Sequence, residues 1–317
     1  MAAALQFVDD FLRHEIDVGS FPGAVYAVGS FDRIEYENAL GHAVVVPARI
    51  PATLDTIYDC ASLTKPLITT QLVLKLGLLD ASFHGFPVRQ LLTHTSGLRA
   101  WMPLYTYDDP LRAILEHGRE CEPGTRVIYS DLNFVLLWLM IGRERYLDLA
   151  PRADDAMFHP PASLRPRIAA TEWGQLYESK MAGIAPIRDS LIWGETHDGN
   201  SFALGNGTAG NAGLFATARG VYRIASAFVR SEWNELASRN HTAGLNEGRG
   251  LGWLIDRDGY GHTGFTGTSV KIDPQRKRIY VLLTNRVHPC AAPIGMKRIR
   301  AEFKALSEDG VRRPCRR

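Results

Sequence analysis

The stretch DCASLTKPLITT, residues 59–70, sets a serine and a lysine three positions apart at the head of an apolar run. On a helix those positions lie on one face about a turn apart, so the Ser62 hydroxyl and the Lys65 ammonium can touch. A serine hydroxyl is a weak nucleophile unless a neighbour takes its proton. A lysine can take it only where burial or nearby positive charge draws its pKa toward neutrality. Pro66 has no N–H to give to the Ser62 carbonyl, so the helix is expected to begin near Ser62. Free backbone N–H groups and the positive dipole end would there favour a developing oxyanion. A capping serine beside a solvent-facing lysine is the plain alternative, and the spacing alone favours it.

Two later stretches change that balance. VIYSDLNF places Tyr129, Ser130 and Asp131 at the mouth of a predicted helix, and YGHTGFTGTS places His262, Thr263 and Gly264 on or beside a strand. The order S-L-T-K, Y-S-D, H-T-G resembles the class C β-lactamase and penicillin-binding-protein-like serine hydrolases. The flanks LLTHTSGL (91–98), YSDLNFVLL (129–137), AGNAGLFATARG (209–220) and GHTGFTGTSVKIDP (261–274) resemble that family too. The likeness runs from about Phe21 to Asn285.

That resemblance implies a covalent acyl-enzyme on Ser62, with Lys65 as its proton partner and Tyr129 as the shuttle between serine and leaving group. A phenol with an ordinary pKa near 10 works at neutral pH only beside cations, and Lys65 and His262 are expected to be those cations. The implied oxyanion hole is made of the backbone N–H groups of Ser62 and of Phe265, the latter on the strand after the third motif. Asp131, His262, Thr263 and Gly264 are implied to contact substrate. Two positions depart from the commonest pattern. Asp131 stands where asparagine is frequent; an ionised carboxylate only accepts hydrogen bonds and can pair with Lys65, raising its pKa and shifting the base role toward Tyr129. His262 stands where β-lactamases usually carry lysine, and is expected to hold a substrate carboxylate when protonated, titrating near neutrality. The chain also reads as shortened between the first motif and LLTHTSGL, and after LLWLMIG. The expected activity is hydrolysis of esters or D-amino-acid amides, with β-lactams turned over weakly. The alternatives are an efficient β-lactamase, or a penicillin-binding or ligand-sensing relative that does not turn over.

These residues need elements to hold them. A helix is read near residues 4–18, and strands in FPGAVYAVGS and RIEYENALG with a turn at Ser30–Asp32. Residues 60–240 read as helical and loop-rich, with helical spacing in SLTKPLITTQLVLKLGLL, SDLNFVLLWLMIGRERYL and TARGVYRIASAFVRSEW. Strands return in GLGWLID, TSVKIDP and RKRIYVLLTN, before a helix beginning around Pro293. Strands at both ends imply one antiparallel sheet flanked by helices, an α/β architecture of the α+β type. The expected division is a discontinuous sheet domain, 1–58 and 245–317, and an inserted helical domain, 59–244, with the site in the crevice between them.

Composition narrows the class. The 317 residues are 45% hydrophobic and 22% charged with a net charge of +2, a globular balance with no general pull on nucleic acid. The tail MKRIRAEFKALSEDGVRRPCRR carries eight Lys/Arg against three Asp/Glu and is read as a helix end and a solvated tail. Cys60, Cys121, Cys290 and Cys315 are dispersed, which suggests a reducing compartment without disulfides. The first residues read as an amphipathic helix and not a signal peptide, so the expected location is cytoplasmic, or periplasmic if an export signal preceded them. No membrane span, metal or cofactor is expected. The match of GNGTAG (205–210) to GxGxxG lacks a preceding strand and is read as a structural loop. His94 is expected to order a turn, and His197 to be structural. Trp101, Tyr105 and Tyr107 are equally readable as cleft wall or as packing.

Overall fold

A computed structural model describes residues 6–150, 155–292 and 294–312, so Cys315 and residues 4 and 5 of the expected first helix lie outside the described residues. The sheet that joins the chain ends is present. Its strands are β1 (Gly23–Ser30), β2 (Ile34–Val44), β3 (Ile50–Pro51), β4 (Leu254–Asp256), β5 (Gly259–Thr263), β6 (Ser269–Asp273) and β7 (Arg278–Thr284). They lie in the order β3-β2-β1-β7-β6-β5-β4, every pair antiparallel, with Tyr26 opposite Leu282 and Val25 opposite Leu283 at the join. Side chains alternate across a strand, and β1 uses both faces. Ala24, Tyr26 and Val28 pack with Tyr280 and Leu282 against the helices Gln6–Asp17 and Met296–Arg312, through Val8, Leu12, Ile299 and Phe303. Val25 and Ala27 face the opposite way with Ile279, Val281 and Leu283, into a core shared with the middle of the chain.

That middle is helical as the spacing predicts. The first motif lies on a continuous helical run from Ala61 to Lys75, whose turn widens over Lys65–Thr69 where Pro66 cannot donate. The helix Asp131–Ile141 is buried on nearly every side by Leu132, Phe134, Val135, Leu136, Leu137 and Trp138, the signature of a helix inside a core. The single run read in SDLNFVLLWLMIGRERYL is two helices, because Gly142 at φ 88° ends the first before Arg143–Leu149. The C-terminal basic stretch is, over its described part, the helix expected near Pro293. It starts at Met296, and its Ile299 and Phe303 are buried under the sheet. No helix among the described residues is long and apolar enough to cross a membrane.

Candidate active site

The turn that presents Ser62 is set by its neighbours. Asp59 is buried, and its carboxylate accepts the Ala61 N–H (2.8 Å) and the His197 N–H (2.7 Å). The first of these bonds pins Ala61 in a left-handed conformation at φ 45°, so Ser62 is aimed outward at the start of the helical run. The third motif is stitched to the same turn. The Thr266 hydroxyl donates to the Asp59 carbonyl (2.7 Å) and that of Thr268 to the Cys60 carbonyl (3.0 Å).

Lys65 is fully buried behind the serine. Its ammonium donates to Ser62 Oγ (2.9 Å) and to the Asn211 carbonyl (3.0 Å), and pairs with Asp131 Oδ1 at 2.6 Å as a charge contact with poor hydrogen-bond alignment. Burial pulls its pKa down, but the Asp131 carboxylate and the Tyr129 phenol outweigh this and hold it above the ordinary lysine value. The resting lysine is therefore charged, as the aspartate at 131 led us to expect. The Tyr129 phenol neighbours both Lys65 and Ser62, with the Lys65 ammonium 5.1 Å from its ring centroid. Burial raises its pKa and Lys65 draws it only part of the way back, so it rests as a neutral phenol.

His262 corrects one expectation. It is buried at the penultimate residue of β5, and burial together with Lys65 and Arg249 holds its pKa well below the ordinary imidazole value. It is neutral across the range in which it was expected to bind carboxylate, so the cations against the Tyr129 ring are Lys65 at 5.1 Å and Arg249 at 5.3 Å from its centroid. Its Nδ1–H donates to the Thr263 carbonyl (2.9 Å), leaving Nε2 a buried acceptor with no partner. Phe265 is also displaced from its expected place. It lies past the end of β5, in the turn closed by the Gly267 N–H to the Gly264 carbonyl (3.1 Å). The second residue of such a turn keeps its N–H unbonded, which leaves the Phe265 amide free to donate.

Ser62, Tyr129, Asp131, His262, Thr263, Gly264 and Phe265 all line one crevice of about 1220 Å³. Every predicted site residue is thus brought to one place, with Lys65 directly behind Ser62. Trp101, Tyr105 and Tyr107 are not among its lining residues. The glycine loop at 205–210 follows the helix Gly199–Gly205 and passes beneath the site, where the Gly210 carbonyl accepts from Thr69 (2.6 Å) just before Asn211 reaches Lys65. His94 ties its turn to the second motif, Nδ1 accepting the Ser130 N–H (3.0 Å) with the ring 4.7 Å from that of Tyr129. His197 pairs with buried Glu172 (3.1 Å) and stacks on Phe265. Among the described residues no group of side chains is arranged to hold a metal ion.

Sequence reasoning missed several members. Asp59 carries a local signal, an aspartate two residues before an N–H it can accept. Asn211, Arg286 and Arg300 carry none. Arg286 donates to the Phe265 carbonyl (2.6 Å) and Arg300 to the carbonyls of Gly264 (3.2 Å) and Thr268 (3.1 Å). Both line the crevice, and neither has a carboxylate partner among the described residues. Burial and the nearby Arg286 bring the pKa of Arg300 down to about 10.

Buried neutral histidines make stability pH-dependent. The unfolded chain takes up protons on His94 and His262 near pH 6.5, while the fold holds both well below that. The unfolded state then binds more protons, and stability is lost as pH falls below 6.5. Glu178, which burial pushes well above the carboxylate range, acts in the opposite sense, so the test compares variants. His262→Gln should lessen the acid loss by up to about 1.4 kcal/mol per pH unit, read by denaturant unfolding at pH 5 and 7. Equal slopes would mean that the folded imidazole is charged.

Residues 8–303 match the Beta-lactamase family. The chain belongs to that family. A protein of Escherichia coli K12, provisionally named as a D-alanyl-D-alanine carboxypeptidase, is 26% identical over 366 aligned positions, covering 91% of this chain and 84% of its own. The alignment is longer than this chain, so the relative is the larger protein over the matched region. A class C β-lactamase crystal structure superposes with TM-score 0.70 at 18% identity, covering 97% of this chain and 98% of its own. A hydrolase described as having promiscuous acyltransferase activity gives TM-score 0.64 at 18% identity, over 98% of each chain. Those two likenesses establish the fold. Family membership makes the chain a hydrolase of the serine kind.

Proposed function

We propose that Ser62 is acylated by esters or D-amino-acid amides in preference to β-lactams, and that water releases the acyl group. The observation that carries this reading is the Ser62 hydroxyl 2.9 Å from Lys65, with the Tyr129 phenol beside both and lining with Ser62 a crevice large enough for a substrate. As Ser62 Oγ bonds to the substrate carbonyl carbon, its proton passes to the Tyr129 oxygen while the phenolic proton passes to the leaving group. The bond to that group then breaks. No phenolate is required, which suits a phenol whose pKa burial has raised. The charged Lys65 stabilises negative charge gathering on the two oxygens. The backbone N–H groups of Ser62 and Phe265 receive the carbonyl oxygen. His262 offers an acceptor at Nε2 in place of a cation, and the role of holding a substrate carboxylate passes to Arg286 and Arg300, whose charges are otherwise unpaired. The name of the Escherichia coli relative supports a substrate with such a carboxylate.

The preference against β-lactams rests on Asp131, which lacks the amide donor. In Asp131→Asn the carboxylate no longer raises the pKa of Lys65, burial dominates, and that pKa falls. Amide and β-lactam turnover should then rise relative to ester turnover by about tenfold, the value of one hydrogen bond to a substrate. An unchanged ratio in steady-state assays would reject the assignment. The Lys65–Asp131 pair also favours a second reading, a penicillin-binding relative that acylates and does not release. A panel of a short aryl ester, a D-alanyl amide and a chromogenic cephalosporin, with mass mapping of the trapped acyl group, separates these. Ester or amide turnover ahead of cephalosporin, with label on the peptide carrying Ser62, is expected. Fastest turnover of the cephalosporin, label without turnover, or label elsewhere would each overturn it.

The division into a sheet domain (1–58 and 245–317) and a helical domain (59–244) is part of the same proposal, since the C-terminal part supplies β5 to a sheet built from both chain ends and the middle supplies Ser62. A cytoplasmic location is supported by the free thiols of Cys60, Cys121 and Cys290.

A further inference from the structure

One helix beside the site is built inside out. Leu176–Ala182 buries Glu178, whose carboxyl oxygens accept the Gly199 N–H at 3.0 and 3.1 Å, and turns Leu176 and Met181, each 51% exposed, toward solvent beside the exposed Lys180. Surface helices ordinarily do the reverse. Ten large apolar side chains are exposed among the described residues, and six of them fall between Trp173 and Ile187. Such a concentration marks a surface that something apolar covers.

Its position says what that is. Leu176, Tyr177 and Met181 line the same crevice as Ser62 and Tyr129, with Ile294 and Met296 also on its wall. The Tyr177 ring lies 4.7 Å from that of Phe265, whose amide faces the reacting carbonyl. An apolar group attached to that carbonyl compound is therefore carried onto the helix. We infer that the substrate bears an extended apolar group, an alkyl chain or aryl ring of about hexanoyl size, seated against Leu176, Tyr177 and Met181. This rests on the reading of Ser62 as the acylated nucleophile. With Arg286 and Arg300 lining the same crevice, the substrate class is an amphiphilic ester or amide.

The test compares p-nitrophenyl acetate with p-nitrophenyl hexanoate, and ethyl acetate with hexyl acetate. Burying four further methylenes partly should raise kcat/KM by about tenfold or more in at least one series. In Leu176→Ser/Met181→Ser the hexanoyl-to-acetyl and hexyl-to-ethyl ratios should collapse toward one; because each ratio is taken within one protein, a general loss of activity cancels. Ser62→Ala protein, which cannot be acylated, should still bind the intact hexanoyl ester about tenfold tighter than the acetyl ester by calorimetry. Absent turnover with that binding preference intact would defeat the hydrolase reading and leave the apolar seat standing. Flat ratios in wild type with no binding preference, or ratios that survive the double substitution, would overturn the seat while turnover of the acetyl ester upheld the hydrolase. A wild-type dimer in sedimentation that the double variant dissolves, together with flat ratios, would assign the face to a second copy of the chain and overturn it likewise.

Discussion

Methionine at position 65 should cut ester turnover by about 10²–10⁴-fold, the range for a positioned proton-transfer group, alanine at position 62 should cut it at least as far, and the two together should do no worse than Ser62→Ala. The third clause carries the argument. On the proposed mechanism Lys65 acts on the reaction through Ser62 Oγ, to which it donates, and through the neighbouring Tyr129 phenol. Once Oγ is gone the ammonium has no nucleophile to assist, and effects of groups that act as a unit do not add. Lys65→Met also leaves Asp131 without its cation. Burial already lifts the Asp131 pKa, so the carboxyl should then take up a proton, and the added change Asp131→Asn should recover stability without recovering turnover. Steady-state kinetics with an aryl ester and thermal unfolding of the four proteins check both statements. Additive losses, or a Lys65→Met enzyme with most of its activity, would make the lysine a structural bystander.

How much of this was readable in the sequence depends on the range of the interactions involved. The near-continuous apolar runs in GAVYAVGS and RIYVLLT, the first followed by turn residues, marked β1 and β7, because a strand buried on both faces is apolar at almost every position. The helices at 131 and 218 followed from apolar spacing in the same local way. Ser62 and Lys65 were legible because three residues on a helix is a contact. The remainder came from contacts between distant parts of the chain. Asn211 meets Lys65 through a backbone carbonyl, 146 residues away, and a carbonyl leaves no mark on residue type. A helix near Pro293 was legible, but that its Arg300 would reach the Gly264 and Thr268 carbonyls was not. His262 was expected to be charged because its type titrates near neutrality, whereas burial beside Lys65 and Arg249 decides the matter. The placing of Phe265 on a strand failed for a smaller reason, since GFTG turns before β6 begins. The polar face of Leu176–Ala182 could not be distinguished from an exposed one without knowing which side meets the protein.

Alanine at position 264 should lower kcat by about 10²–10³-fold, the loss measured when one oxyanion donor is removed, although the change adds a single methyl group remote from the serine oxygen. Gly264 is where the third motif presses against the nucleophile turn. A Cβ built there would overlap the Thr268 hydroxyl, lie 2.6 Å from the Cys60 carbonyl oxygen and meet the Ala61 side chain at 3.4 Å. The Cys60 oxygen is backbone and already holds the Thr268 hydroxyl at 3.0 Å, so the strain must be relieved by parting the two turns. Overpacking of this kind costs about 1–3 kcal/mol, which thermal unfolding should show as a folded but weakened protein. Parting the turns moves the Phe265 N–H away from the space in front of Ser62 while leaving Ser62, Lys65 and Tyr129 in contact with one another. The donor is needed most when charge reaches the carbonyl oxygen, so kcat and kcat/KM should fall together and KM should hold steady. The rate of acylation by a fluorophosphonate probe, which also places charge on an oxygen in that space, should fall in parallel. A folded Gly264→Ala enzyme that keeps its kcat within about threefold, far short of the loss of an oxyanion donor, would remove the Phe265 amide from the site and with it the need for this glycine.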